Sequence, residues 1–394
     1  MNKKLIVGII SLAIAIGFAL IVAVVVLNVK QGNNNHGGGV SNYRSEPGIP
    51  SEQERSELPD CTDVLYTEPF IEISKINEIT PLGNTEPPGH TFPTNHMYIH
   101  LFEQNTQIET LPLYAPGDIW LTYISESSGF MDPLDYSFSF GVCKDVVGYF
   151  NHVKLLSPEM QVILDGAECL SFGSGPDECV VQVFIKIDAG TYLGEVGRLQ
   201  GNFDFGTYDF RNENYYISPD KYGQRTLFMQ CGFDYYAPEL RSSFVDKFPT
   251  TAGDNCGKNH YDILGTLQGN WFNGDAIEPN PSDWVKHLYI GYDNDDPSFS
   301  VLSIGGTVTQ QPQKWLFTAS QSGTVNLAPE LTVPGNIIYC FDRTNDAPSY
   351  RYRGFESGKM LMQLVNEMEM KIEYQSGNCI ENLEFTDSAA FYER

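Results

Sequence analysis

Downstream of residue 60 the chain is written in short alternations of apolar and polar residues bounded by Gly and Pro, a pattern that predicts strands and turns. HMYIHL puts His96, Tyr98 and His100 on one face of a strand and Met97, Ile99 and Leu101 on the other. Thr110 to Ser125, TLPLYAPGDIWLTYIS, reads as a strand, a Pro-Gly turn and a second strand, which is a hairpin signal. YSFSFGVC and CVVQVFIKI (Cys179 to Ile187) predict further strands, and Asp145 to Leu164 between them predicts a short helix or loop. Gly197 to Phe210 is glycine-punctuated and again alternating. Beyond residue 220 a helix is expected after Pro238. Strand-like ILGTLQGNWF, KHLYIGYDN, FSVLSIGGTVT, KWLFTAS, GNIIYCFD and MKIEYQ follow it, spaced as in an antiparallel barrel or sandwich.

The N-terminus breaks this pattern. Leu5 to Leu27 form an apolar run of 23 residues in which Ser11 is the only polar side chain. At about 1.5 Å per residue it spans roughly 34 Å as a helix, enough for a hydrocarbon core of about 30 Å. Lys3 and Lys4 precede the run and only Lys30 follows closely, which puts Met1 in the cytoplasm. Residues 1–30 are therefore expected to be a single-pass signal-anchor in the cell membrane, with a cleaved signal peptide as the alternative. In both cases the remainder is extracytoplasmic. Residues 31–59, which include GNNNHGGG and a charged, proline-broken stretch, are expected to be a flexible tether. The fold expected beyond it is mainly β: a first domain over 60–219 and a second, disulfide-bearing domain over 220–394.

Composition narrows the partners. Acidic residues outnumber basic ones 50 to 24, a formal charge of -26, which repels nucleic acid and anionic head groups. All eight cysteines (Cys61, Cys143, Cys169, Cys179, Cys231, Cys256, Cys340, Cys379) lie on the exported side and read as up to four disulfides. Cys169–Cys179, Cys231–Cys256 and Cys340–Cys379 are candidate pairs. No CxxC is present, which argues against a thiolate zinc site.

Chemistry is concentrated in PPGHTFPTNHMYIHL, where His90, His96 and His100 occupy eleven positions of a chain with seven histidines. Two imidazoles and a carboxylate from another strand make an acceptable zinc donor set, with one position kept for water. Asp204, between two Phe residues, is a carboxylate that needs a partner if its strand is buried.

Five segments occur in one order over Pro87 to Asp209, about a third of the chain: GHTFPTNHMYI, LPLYAPGDIWLTYI, YFNHVKLLSPEM, YLGEVG and GNFDFGTYD. This order resembles a divergent lysostaphin/LytM-like domain of the M23 zinc metallopeptidases, which cleave peptidoglycan cross-bridges. The resemblance implies Zn2+ held by His90, His96 and Asp204, with Asn95 a rival for the position of His96. It places His152 on a histidine that assists the attacking water and Asn202 on the first histidine of a His-X-His motif. Asn202 cannot shuttle a proton near neutral pH, so the catalytic set is incomplete there.

Two functions follow as expectations. One is a membrane-anchored metallopeptidase-like protein acting on cell-envelope peptides. The other is a non-catalytic surface module that holds a peptide, a glycan or a partner protein. A purely structural envelope protein is a third reading. Taken singly, His90 reads as a turn cap, His96 and His100 as polar strand positions, His152 as a half-buried helix residue and Asp204 as a turn carboxylate. GNWF (Gly269 to Phe272) resembles the Gly-X-Trp of lipocalin barrels, against the simpler reading of a buried strand tryptophan.

Overall fold

A computed structural model describes residues 48–101, 110–127, 134–170, 179–197, 202–249, 256–344, 358–380 and 383–394. The apolar run at residues 5–27 and most of the tether lie outside the described residues. Among the described residues no helix is long and apolar enough to cross a membrane. Among the described residues secondary structure begins with α1 (Glu52–Glu57), inside the stretch read from composition as tether. Ser51 and Glu54 form a capping box at its start, each side chain bonding the other's backbone N–H.

The protein is mainly β. The strands in chain order are β1 (Ile76–Thr80), β2 (Met97–Leu101), β3 (Leu111–Tyr114), β4 (Ile119–Ser127), β5 (Asp135–Cys143) and β6 (Val146–Leu156). Next come β7 (Cys179–Ile187), β8 (Tyr192–Val196), β9 (Asn202–Asp209), β10 (Met229–Gln230), β11 (Gly269–Phe272) and β12 (His287–Tyr292). The last six are β13 (Ser300–Ile304), β14 (Gln313–Phe317), β15 (Tyr339–Asp342), β16 (Gly358–Asn366), β17 (Glu369–Ser376) and β18 (Ala390–Glu393). Three further helices are α2 (Pro158–Gly166), α3 (Gln224–Phe228) and α4 (Pro238–Val245). The chain forms two compact units. The first holds residues 47–75 and 102–203, and the second holds 76–101 and 204–394.

In the first unit β4 lies between β5 and β7, β5 pairs β6, β6 pairs β8, and β8 pairs β3, all antiparallel. The hairpin expected over Thr110 to Ser125 does not form. Both strands exist, but the Pro-Gly segment is held by other chain: Thr67 and Glu68 donate to Pro116 O, and Ala115 donates to Thr191 O. β3 is thereby turned toward β8. Asp145 to Leu164 also differs from expectation, because its first half is β6 and only its second half is helix. Val146 to Phe150 are buried without a break, so the strand shows no two-residue alternation in sequence. In α2, Ser157 Oγ caps Met160 N and Pro158 takes the first turn, while Met160, Ile163 and Leu164 are buried. Phe70 packs edge-on against Phe150 and Phe203 in the core. Cys61–Cys143 and Cys169–Cys179 are disulfides of this unit.

In the second unit β1 pairs β2, β2 lies beside β9, and β10 adds to β9. The remaining strands form an eight-stranded antiparallel meander, near-barrel in form, in the order β14-β13-β12-β11-β18-β17-β16-β15. Its inner face is read off every second residue: Leu288 and Ile290, Leu302 and Ile304, Trp315 and Phe317, Met360 and Met362, Met370 and Ile372. Trp271 of the GNWF segment is fully buried in this core. The Arg394 guanidinium lies 3.9 Å from its ring centroid and donates to the carbonyls of Ile263 and Gln268. Cys231–Cys256 and Cys340–Cys379 are the disulfides here. All eight cysteines are paired, and the three candidate pairs are among the four bridges.

Candidate functional site: the His90, His96, Asp204 cluster

The cluster is built on β2 and β9 of the second unit. Met97, Ile99 and Leu101 face the core and are at most 5% exposed. The opposite face of β2 carries the ring series, and it is covered as well: His96 and Tyr98 are buried and His100 is half-buried. This is why an alternating strand encloses its polar face instead of wetting it. The rings of His96 and Tyr98 meet edge to face at 4.9 Å, and His90 closes on His96 at 5.2 Å and on Tyr98 at 6.2 Å. Backbone bonds between Glu86 and His90, one in each direction, hold the turn that presents His90.

Two of the three expected metal ligands, His96 and Asp204, come together. His96 Nε2 stands 3.6 Å from Asp204 Oδ2, with both side chains under 10% exposed. That distance is too long for a hydrogen bond and is a close electrostatic contact. On the other side of the ring, Nδ1 lies 3.1 Å from Asn95 Oδ1, and Asn95 Nδ2 donates to Thr226 Oγ1 at 3.0 Å. Asn95 therefore fixes the orientation of the imidazole, a role that its neighbouring position in the sequence left open.

Two side chains, His96 and Asp204, face each other as a pair of ligands would. A third is not drawn to the same point: among the described residues no group of three or more His, Cys, Asp and Glu side chains is arranged to hold a metal ion. A catalytic zinc centre takes about three protein ligands and a water. As they stand, these residues do not fit one.

His152 belongs to the first unit, where it sits in the left-handed region (φ 62) at an irregularity in the β5–β6 pairing. Its Nδ1 is 2.8 Å from Asp135 Oδ2, so it is a strand histidine paired with a carboxylate and not a helix residue. Asn202 opens β9 and is half-buried. His100, to which no catalytic role was given, bonds Thr80 Oγ1 through Nε2 at 2.8 Å, and burial lowers its pKa.

Beside the cluster, His90 and Asn95 line a small depression of about 50 Å³ together with Phe92, Glu278, Trp284 and His287. Trp284 lies over Gly89, where a Cβ would stand 3.4 Å from its ring. His287 stacks on Phe92 at 4.2 Å, and burial drives its pKa down to about 4. No signal within PPGHTFPTNHMYIHL points to residues 278–287; only folding joins them. Comparison with family models, with curated proteins and with solved structures returned no match for the chain.

Proposed function

We propose that the chain is an exported protein, tethered to the cell membrane by residues 5–27, that acts as a non-catalytic binding module for a peptide or glycan of the cell envelope. The observation that carries the reading is the approach of His96 to Asp204, oriented by Asn95, with no metal-holding group of three His, Cys, Asp or Glu side chains among the described residues. An imidazole tied in this way organises a recessed polar surface but does not by itself activate water. Asn202 in place of a proton-shuttling histidine supports the same view. The four disulfides agree with an oxidising compartment. Trp284, half-buried beside His90, offers aromatic surface of the kind that receives sugar rings and peptide side chains.

A zinc metallopeptidase is the second reading, and it draws on the contact between His96 and Asp204. Metal analysis of the full chain, combined with incubation on insoluble peptidoglycan, separates the two. The binding reading expects zinc well below one per chain, co-sedimentation with the polymer that weakens in Trp284→Ala, and no released fragments. One zinc per chain that disappears in both His90→Ala and Asp204→Ala, together with released fragments, would overturn it.

A further inference from the structure

The second unit also holds a polar cleft of about 420 Å³, built from residues other than the histidine cluster. That volume lies within the roughly 300–1,000 Å³ typical of small-ligand pockets. Its walls are constrained before any ligand arrives. The Cys231–Cys256 disulfide joins two of the lining segments. Residues 256–260 are pinned against 82–83, where Leu82 N donates to Cys256 O at 2.9 Å. Gly257 (φ +77) and Gly83 (φ +91) make that approach possible: a Cβ on either would stand 2.2 Å from the carbonyl oxygen of Leu82 or Lys258. Lys258 and His260 are thus displayed from a fixed backbone.

The charge in the cleft is unbalanced. Among the described residues its cations are Arg241 and Lys258, and its one carboxylate is Asp234. Arg241 Nε holds Asp234 Oδ1 at 2.7 Å, so that carboxylate is already matched. Lys258 has no carboxylate partner among the described residues. Its ammonium lies 4.7 Å from the Tyr261 ring centroid, and desolvation lowers its pKa. Burial, then the charge of Lys258, holds His260 down to about 4, so its ring is neutral near pH 7. Among the described residues of the cleft one positive charge is left over, inside a chain whose formal charge is -26. A local cationic cleft in an acidic protein concentrates small anions there.

We infer that this cleft binds a small carboxylate-bearing ligand, with the carboxylate between Lys258 and Arg241 and the polar remainder against Gln230. A carboxylate carries the single charge that the cleft leaves unmatched, whereas a phosphate monoester brings about -1.5 to -2 and would be under-compensated. The inference does not depend on the reading of the His96–Asp204 cluster and survives its failure.

Isothermal titration of the full chain in detergent tests it, with N-acetylglycine, the neutral N-acetylglycinamide and inorganic phosphate as probes. N-acetylglycine should bind one per chain and weaken as salt is raised, while the neutral amide should give no heat. Lys258→Gln should weaken binding by about tenfold or more, the loss of one charge-assisted contact. Lys258→Arg should restore it, and circular dichroism should match the parent in both. No binding of N-acetylglycine, equal binding of the amide, tighter binding of phosphate, or parent-like affinity in Lys258→Gln would each overturn the assignment.

Discussion

His96 Nε2 faces Asp204 Oδ2 at 3.6 Å across β2 and β9, joining two buried polar groups that lie more than a hundred positions apart in sequence. Removing one member leaves the other buried without that contact. His96→Ala is expected to lower unfolding stability by roughly 3 kcal/mol. In the double variant His96→Ala/Asp204→Ala the loss should fall short of the sum of the singles by about 1–3 kcal/mol. Urea denaturation of the four proteins measures this cycle. Strict additivity would show that the contact contributes nothing.

His287 gives the protein a defined acid sensitivity. Burial against Phe92 lowers its folded pKa to about 4, while an unfolded histidine titrates near 6.5. Between those values the unfolded chain binds the extra proton. The stabilisation is therefore complete above about pH 6.5 and is lost as pH falls toward 4, on the order of 3 kcal/mol. Denaturation midpoints followed from pH 7 to 4 should decline, and His287→Gln should flatten that decline. An unchanged slope in the variant would assign the acid lability to other groups.

The disulfides should differ in worth according to the chain that each encloses. Cys61–Cys143 spans 82 residues and Cys169–Cys179 spans 10. Loop-closure entropy gives about 4–5 kcal/mol for the first and about 3 kcal/mol for the second. Paired Cys→Ala variants, compared by chemical denaturation, should rank in that order. The reverse ranking would show that native packing outweighs the entropy of the enclosed loop.

Arg394 and Trp271 are expected to form a latch for the meander. Arg394→Ala removes the cation from the indole face and leaves the carbonyls of Ile263 and Gln268 without these donors. Both carbonyls keep another donor, Thr266 N on Ile263 O and Ile263 N on Gln268 O, so the loss is that of hydrogen bonds from a charged group, roughly 1.5–3 kcal/mol. Tryptophan emission should shift to the red at lower denaturant than in the parent. Parent-like emission through the transition would remove the latch.

What the sequence disclosed depended on whether the signal was local. The alternation around Met97, Ile99 and Leu101 marked β2 correctly because one face of that strand meets a core. Cys169–Cys179 was readable because its partners sit ten residues apart. The strand Val146–Leu156 escaped notice because burial on both faces erases the period of two. β16 escaped as well, since KMLMQLVN lacks the turn residues and β-branched run that flag a strand. For the site, folding brings His90 to His96 and His96 to Asp204, and nothing in the order of these residues specifies where a ring nitrogen points. The Lys258 and Arg241 cleft had no signature, because its parts come from segments that only the Cys231–Cys256 bridge and the Gly83–Gly257 approach bring together.

The discontinuous second unit sets a timetable for biosynthesis. Residues 76–101 leave the ribosome about a hundred positions ahead of Asp204, where the rest of their unit begins. At about 5–20 residues per second, roughly 5–20 s separate β2 from β9. During that interval the nascent β1–β2 pair carries the Met97, Ile99 and Leu101 row before its own unit can cover it, which leaves apolar surface open to aggregation. A chain stopped at residue 203 would lack everything from Asp204 onward that completes the unit of β1 and β2.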